Sequence, residues 1–170
     1  LSYLAWMSHP STIEGLAIWS SYEGVLSTGG ERKRVPVISV SPNLFSLLGV
    51  RPICGRQFQA GEGPSERERV AILSYALWRD EFGSRSDVVG RALAIDKTQY
   101  TIVGVMPESF VFPDREARVW ILMEPVRPVI SRPGSSSRFF MSFDAVARLR
   151  PGVTPARAAA EATTRVGQAD

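Results

Sequence analysis

Cysteine and histidine are nearly missing from this sequence: Cys54 and His9 are the only ones. One cysteine cannot close an intrachain disulfide. One cysteine and one histidine, far apart in the chain, do not make a His/Cys metal cluster. A cysteine nucleophile needs a base beside it, so Cys54, between Ile53 and Gly55, reads as a small buried apolar residue. His9, before Pro10, reads as a loop residue. The lack of disulfides fits the cytoplasm and also the periplasm, where domains with a sufficient core do without them. No run of about 18 apolar residues occurs, so no membrane span lies inside the chain. The start has no charged segment leading into an apolar one, so no signal peptide is visible. Leu1 is not Met, and the chain is expected to be a piece of a longer protein.

An excess of one charge is also missing. Lysine and arginine number 20 against 17 aspartates and glutamates, a net charge of +3. The arginines are spread along the chain, as at Arg51, Arg56, Arg85, Arg91, Arg118 and Arg148, where a nucleic-acid footprint needs them clustered. No nucleic-acid partner is expected. Neither Gly55-Arg56 nor Gly61-x-Gly63 has phosphate-loop spacing, and no serine sits in a G-x-S-x-G elbow. The carboxylates are scattered. Asp80 and Glu81 read as the solvated side of a helix, and Asp114 with Glu116 supplies two ligands where a cation site needs more. No catalytic, cofactor-binding or metal-binding residue is assigned, and no enzymatic role is expected.

What is present is pattern. A chain of 170 residues, 44% of them hydrophobic, suits one domain that buries roughly 70% of its unfolded surface. Residues 1–14 leave a short helix ending before Pro10 open. Residues 16–27 form a strand, with a bulge expected at Glu23-Gly24. A turn at 28–31 and an alternating strand over 34–41 complete a hairpin with a loop of several residues. The cations Arg32, Lys33 and Arg34 at its tip are either solvated or a contact for an acidic partner. Ser41 is expected to cap a helix with Pro42 in its first turn, Leu44, Phe45, Leu47 and Leu48 on one face, and Gly49 as the stop. Residues 51–58 read as an extended connection and 60–68 as an exposed loop.

The best-patterned stretch is 70–107. Val70–Leu73 is a short apolar strand. Ser74 caps a helix that presents Tyr75, Trp78 and Phe82 and stops at Gly83. Strands over 91–96 and 100–105 follow, with the bend at 97–98 or 97–99. Phe110 and Phe112 lie in an apolar segment, where they either pack inward or are presented to a partner. Val119 to Met123 is a continuous apolar strand buried on both faces. Residues 124–137 form a Pro/Ser/Gly/Arg loop. A strand over 139–149 is expected to put Phe143, Ala145 and Ala147 on one face. Thr154 caps a final helix over 156–166, with Glu161 and Arg165 as an i, i+4 pair.

The blocks Ser41-Pro42-Asn43-Leu44-Phe45-x-x-Leu48-Gly49-Val50-Arg51-Pro52-x-x-Gly55-Arg56-x-Phe58, Val70-Ala71-Ile72-Leu73-Ser74-Tyr75-x-x-Trp78-x-x-x-Phe82-Gly83, Val89-Gly90-Arg91-x-Leu93, Tyr100-Thr101-Ile102-Val103-Gly104-Val105-Met106-Pro107-x-x-Phe110, Val119-Trp120 and Ala147-Arg148-Leu149-Arg150-Pro151-Gly152-Val153-Thr154 cover nearly the whole chain. Their order and spacing resemble the MacB-like periplasmic core domain of ABC-transporter permeases, in the variant called duplicated orphan permeases. The bend at 96–99 departs from that pattern in lacking Asn-Gly.

The resemblance implies an α+β fold: a porter-like subdomain of βαβ units, over 16–58 and 139–167, plus a small inserted α/β, mostly β, subdomain over 70–123. It implies an extracytoplasmic domain between two transmembrane helices of the same parent chain in the inner membrane, with the last helix leading toward the second of them. Function would be mechanical: coupling ATP-driven change to export or to a periplasmic adaptor or substrate. No cofactor is expected in the domain, ATP being bound by a separate ATPase subunit or domain. The alternative is a free-standing periplasmic module that binds a peptide or lipid. Coupling puts the contact surface on loops, at 60–68, 110–115 and 124–137, with Phe110 and Phe112 as the candidate partner contacts.

Overall fold

Everything in the fold is arranged around one long strand. In the computed structural model, which describes residues 11–28, 30–59, 61–62, 69–123 and 143–167, β1 (Ile13–Thr28) pairs antiparallel with β2 (Glu31–Val40). The ladder runs without interruption from Trp19↔Val40 to Thr28↔Glu31. The loop is therefore two residues long, not several, and Gly30 supplies a left-handed φ of 92°. Two-residue hairpin loops favour that conformation because its twist matches the strands. The expected bulge at Glu23-Gly24 is not there. Gly24 is a close-approach glycine: a Cβ on it would lie 2.7 Å from Val37 Cγ2 and 3.1 Å from Ile95 Cγ2. The irregularity of β1 lies instead between Ile13 and Gly15, opposite β8.

Helix α1 (Leu44–Leu48) starts two residues later than the expected cap implied. Asn43 is its N-cap residue, without a side-chain cap bond. The Ser41 hydroxyl is used elsewhere: it accepts from Ile18 N at 3.1 Å and donates to Asn43 Oδ1, whose amide donates to Leu16 O. Ser41 and Asn43 thus fasten the helix to β1. Gly49 ends it in the left-handed conformation as expected. The connection after it holds a short strand, β3 (Cys54–Gly55), paired with β6.

β4 (Val70–Leu73) is buried throughout. α2 (Tyr75–Phe82) has the expected cap, Ser74 Oγ accepting from Leu77 N at 3.1 Å, and the expected Gly83 stop. Leu77 is its buried residue, while Trp78 and Phe82 are half-buried against the core. β5 (Ala92–Ile95) and β6 (Thr98–Val105) form a hairpin whose bend is Asp96-Lys97, with φ of 50° and 69°. That is one residue earlier than expected, and Ile95 pairs directly with Thr98. β7 (Val119–Leu122) is buried on both faces, as its apolar run implied. β8 (Asp144–Leu149) adds antiparallel to β1. Its inward residue is Val146, opposite buried Ala17 and packed on the core, and Ala145 is exposed. Valine has apolar surface to bury where alanine has little. Residues 139–142 of the expected strand lie outside the described residues. α3 (Pro155–Gly167) follows, with Thr154 Oγ1 accepting from Arg157 N at 3.3 Å.

The pairings close a ring. β2 joins β7, β7 joins β4, β4 joins β6, β6 joins β5, and β5 returns to β1 through Leu26↔Ile95 and Ser27↔Ala94. The seam is reinforced at the Asp96 bend, whose N–H donates to Val25 O and whose carboxylate accepts from Val25 N at 2.8 Å. One hydrophobic cluster draws on all six ring strands and fills the lumen: Leu26, Val37, Ala71, Leu73, Leu93, Ile95, Ile102, Val105, Val119 and Ile121, with Leu77 of α2. A second covers the outer wall, with Ile38, Val40, Ile72, Val103, Trp120 and Leu122 against Leu44 and Phe45 of α1 and Phe58. Alternation along β2, β4 and β7 divides their residues between the two clusters. Val103 is the extra residue at a register shift in β6, so Ile102 and Val105 face the same way.

The fold is α+β and dominated by its sheet. Its parallel pairs are β2–β7 and β4–β6, and the other pairs are antiparallel. Strands from 16–58 and from 70–123 share one ring.

Candidate interaction surface

The chain leaves β6 through Met106, which is buried, and returns at β7 by a loop held from inside. Phe110 N–H donates to Pro107 O at 2.9 Å. The half-buried Phe110 ring lies 5.7 Å from Phe45 and 5.4 Å from Trp120. Phe112 meets Trp19 edge-on at 5.6 Å, and its carbonyl accepts from Trp120 Nε1 at 3.2 Å. Asp114 Oδ1 accepts from the N–H groups of Glu116 and Ala117 and so closes the loop. Between the two phenylalanines, Val111 is 43% exposed. Val111 had not been singled out in the sequence. The signal for it is the i, i+2 spacing of Phe110 and Phe112, which turns the residue between them outward.

Beside this loop lies a cleft of about 110 Å³ whose lining includes Ser74, Tyr75, Arg79, Glu108, Val111 and Arg115. A second, of about 370 Å³, runs between α1 and β8 and is lined by Leu47, Leu48, Val146, Ala147, Arg148 and Leu149. Its one cation is engaged, the Arg148 guanidinium donating to Leu47 O. Of the other expected contact loops, 124–137 lies outside the described residues. In 60–68 only Gly61 and Glu62 are described, and Glu62 pairs with Arg56 and accepts from Gln59 N.

At the hairpin tip Arg32, Lys33 and Arg34 are exposed. Lys33 turns to Glu81 of α2 at 2.8 Å and to Glu31 at 3.4 Å. The hydrogen bond from Lys33 holds the Glu81 carboxyl below its ordinary range, and the bond to Glu81 raises Lys33. Asp87 lies between Arg85 and Arg91 and is likewise held below its usual range by their hydrogen bonds. Burial, with Tyr100 and Asp96 nearby, pushes the Tyr22 phenol up to about 12. Cys54 is half-buried on β3, where burial raises its thiol. His9 lies outside the described residues. Among the described residues no three of His, Cys, Asp and Glu gather, and no helix is long and apolar enough to cross a membrane. Lys33, Glu81 and Asp87 are shifted by ordinary ion pairs, and Tyr22 and Cys54 mainly by burial.

The fold is shared with three solved protein domains. The periplasmic region of MacB from Actinobacillus actinomycetemcomitans aligns over 96% of this chain and 70% of its own, with a TM-score of 0.68 at 14% identity. A domain of a putative permease protein from Porphyromonas gingivalis aligns over 95% of this chain and 68% of its own, with a TM-score of 0.60 at 20% identity. The extracellular domain of the noncanonic ABC-type transporter YknZ from Gram-positive bacteria aligns over 71% of this chain and 59% of its own, with a TM-score of 0.56 at 10% identity. Residues 3–165 match the model of the MacB-like periplasmic core domain, and the chain belongs to that family. A curated relative, the macrolide export ATP-binding/permease protein MacB of Bdellovibrio bacteriovorus, is 28% identical over 99 residues, 58% of this chain. The matched stretch spans 15% of that relative's length. The chain is thus a periplasmic domain of the kind that ABC-type permeases carry outside the cytoplasmic membrane.

Proposed function

We propose that the domain couples ATP-driven conformational change in a parent permease to export or to a periplasmic partner, and that it is itself non-catalytic. Family membership across 3–165 carries this reading. A ring of six strands with a filled lumen supports it, because a closed sheet transmits displacement without shearing along a free edge. In this reading transmembrane helices of the parent flank the domain, and α3 leads toward the second of them. ATP is bound by a separate ATPase subunit or domain, and none by this domain. A periplasmic adaptor or the exported substrate is met on loops.

The loop carrying Phe110 and Phe112 is the contact proposed here. The two rings bed on Phe45, Trp120 and Trp19 and hold Val111 outward, so they serve a partner as anchors for the presented residue. Val111→Asp places a charge at the tip without disturbing the bed. In the parent permease it is expected to lower export several-fold while the melting temperature of the domain changes by less than about 2 °C, as for a surface change. Wild-type export by Val111→Asp would remove this loop from the contact. Phe110→Ser with Phe112→Ser is the complementary variant, expected to lower export together with thermal stability.

A further inference from the structure

α3 is fastened to the domain in an unusual way. It has 13 residues, and none of those whose side chains are described belongs to either hydrophobic cluster of the described residues. Ala158 is its buried residue among the described side chains. Among the described residues, Glu161 ties it to residues 11 and 12. One carboxylate oxygen accepts from Ser11 N and Ser11 Oγ, each at 2.9 Å, and the other accepts from Thr12 N at 3.0 Å and from Thr12 Oγ1. Thr12 is buried, and its carbonyl accepts from Arg150 N at 3.0 Å, at the end of β8. The start of β1, the end of β8 and the body of α3 therefore meet on a single residue.

An interior helix is held by an apolar stripe and detaches only with the core. A helix tied to the neighbouring chain through one carboxylate has two arrangements, gripped and free, that differ in those hydrogen bonds. The geometry points to α3 as a latch: Glu161, by gripping Ser11 and Thr12, makes α3 and β1 move as one piece, and loss of the grip releases α3 as a unit and leaves the barrel closed. This deepens the mechanical reading above and is tested without any transport measurement, so the two fail separately.

The test is hydrogen exchange on the 170-residue chain and its variants, resolved by residue. In Glu161→Ala the amides of α3 are expected to exchange at least tenfold faster, while Val37, Ile72 and Val105 in the ring keep their protection. Alanine has the higher intrinsic helix propensity, so a loss of protection in α3 cannot come from a weakened helix. Thr12→Val with Ser11→Ala removes the hydroxyl donors and keeps the backbone ones, and an intermediate loss is expected. Unchanged α3 protection in Glu161→Ala would overturn the proposal, since something else then holds the helix. Equal loss in α3 and in the ring would also overturn it, since α3 would then unfold with the core.

Discussion

Glycines decide more of this structure than any chemically active residue does. Gly55 and Gly104 face each other where β3 crosses β6. A Cβ on Gly55 would lie 2.1 Å from Val103 O, and one on Gly104 would lie 2.6 Å from Arg56 O. Gly55 also has a φ of 74°, so alanine there meets both a closed space and a strained backbone. Gly55→Ala is expected to destabilise the domain by more than about 1 kcal/mol, the sign reversed from alanine at a compatible site. Denaturant unfolding measures it, and an unchanged midpoint would show that β3 is free to lift away. The sequence shows Gly49 and Gly83 as helix stops, which holds. It does not show that Gly24 and Gly104 allow close approach, because that depends on which strand lies opposite. For the same reason Ser41 is visible as a hydroxyl before a helix, while its use on Ile18 N is not.

At the scale of elements, local pattern carries the reading where residues close in sequence settle the outcome. The Ser74 cap, α2, the Gly83 stop and the apolar run of β7 are legible for that reason. The face of β8 is not, since Ala145 and Val146 are told apart only by the pairing with β1. Two helices are tied by carboxylates to the β1–β2 hairpin or to the residues leading into it, α2 through Glu81 and α3 through Glu161. The Thr12 and Ser11 bonds lower Glu161 to about 2, and the Lys33 bond lowers Glu81. A group whose folded pKa is depressed stabilises the folded state above its unfolded value and loses that contribution as pH falls through the folded value. Protection of α3 amides is therefore expected to hold from neutrality down to about pH 4.5 and to fall as pH approaches about 2. Exchange measured across that window checks it, and a flat profile would count against the carboxylate as the fastening. Glu161 appears in the sequence as a partner for Arg165, whose side chain lies outside the described residues. Its use on Ser11 and Thr12 requires residues about 150 positions apart to meet, which no local pattern reports.

For the whole molecule, the family blocks are legible because they specify shape: caps, stops, turns and buried strands in a set order. The closed ring is not legible, because its closure rests on β5 reaching β1 through Leu26↔Ile95 and Ser27↔Ala94, pairs far apart in the chain that no local pattern reports. A filled ring is a stiff body, and stiffness is what coupling between a membrane motor and a periplasmic contact demands. For the proposed coupling, the direct measurement is electron spin distance in the parent permease reconstituted with the ATPase that this reading gives it. One pair of labels joins exposed Gln99 to a transmembrane helix of the parent, and a second joins exposed Glu23 to Gln99 within the barrel. Coupling by a rigid barrel predicts that the first distance shifts between nucleotide-free and ATP-bound states while the second stays constant. A first distance indifferent to ATP, or a second that changes with it, would contradict that claim.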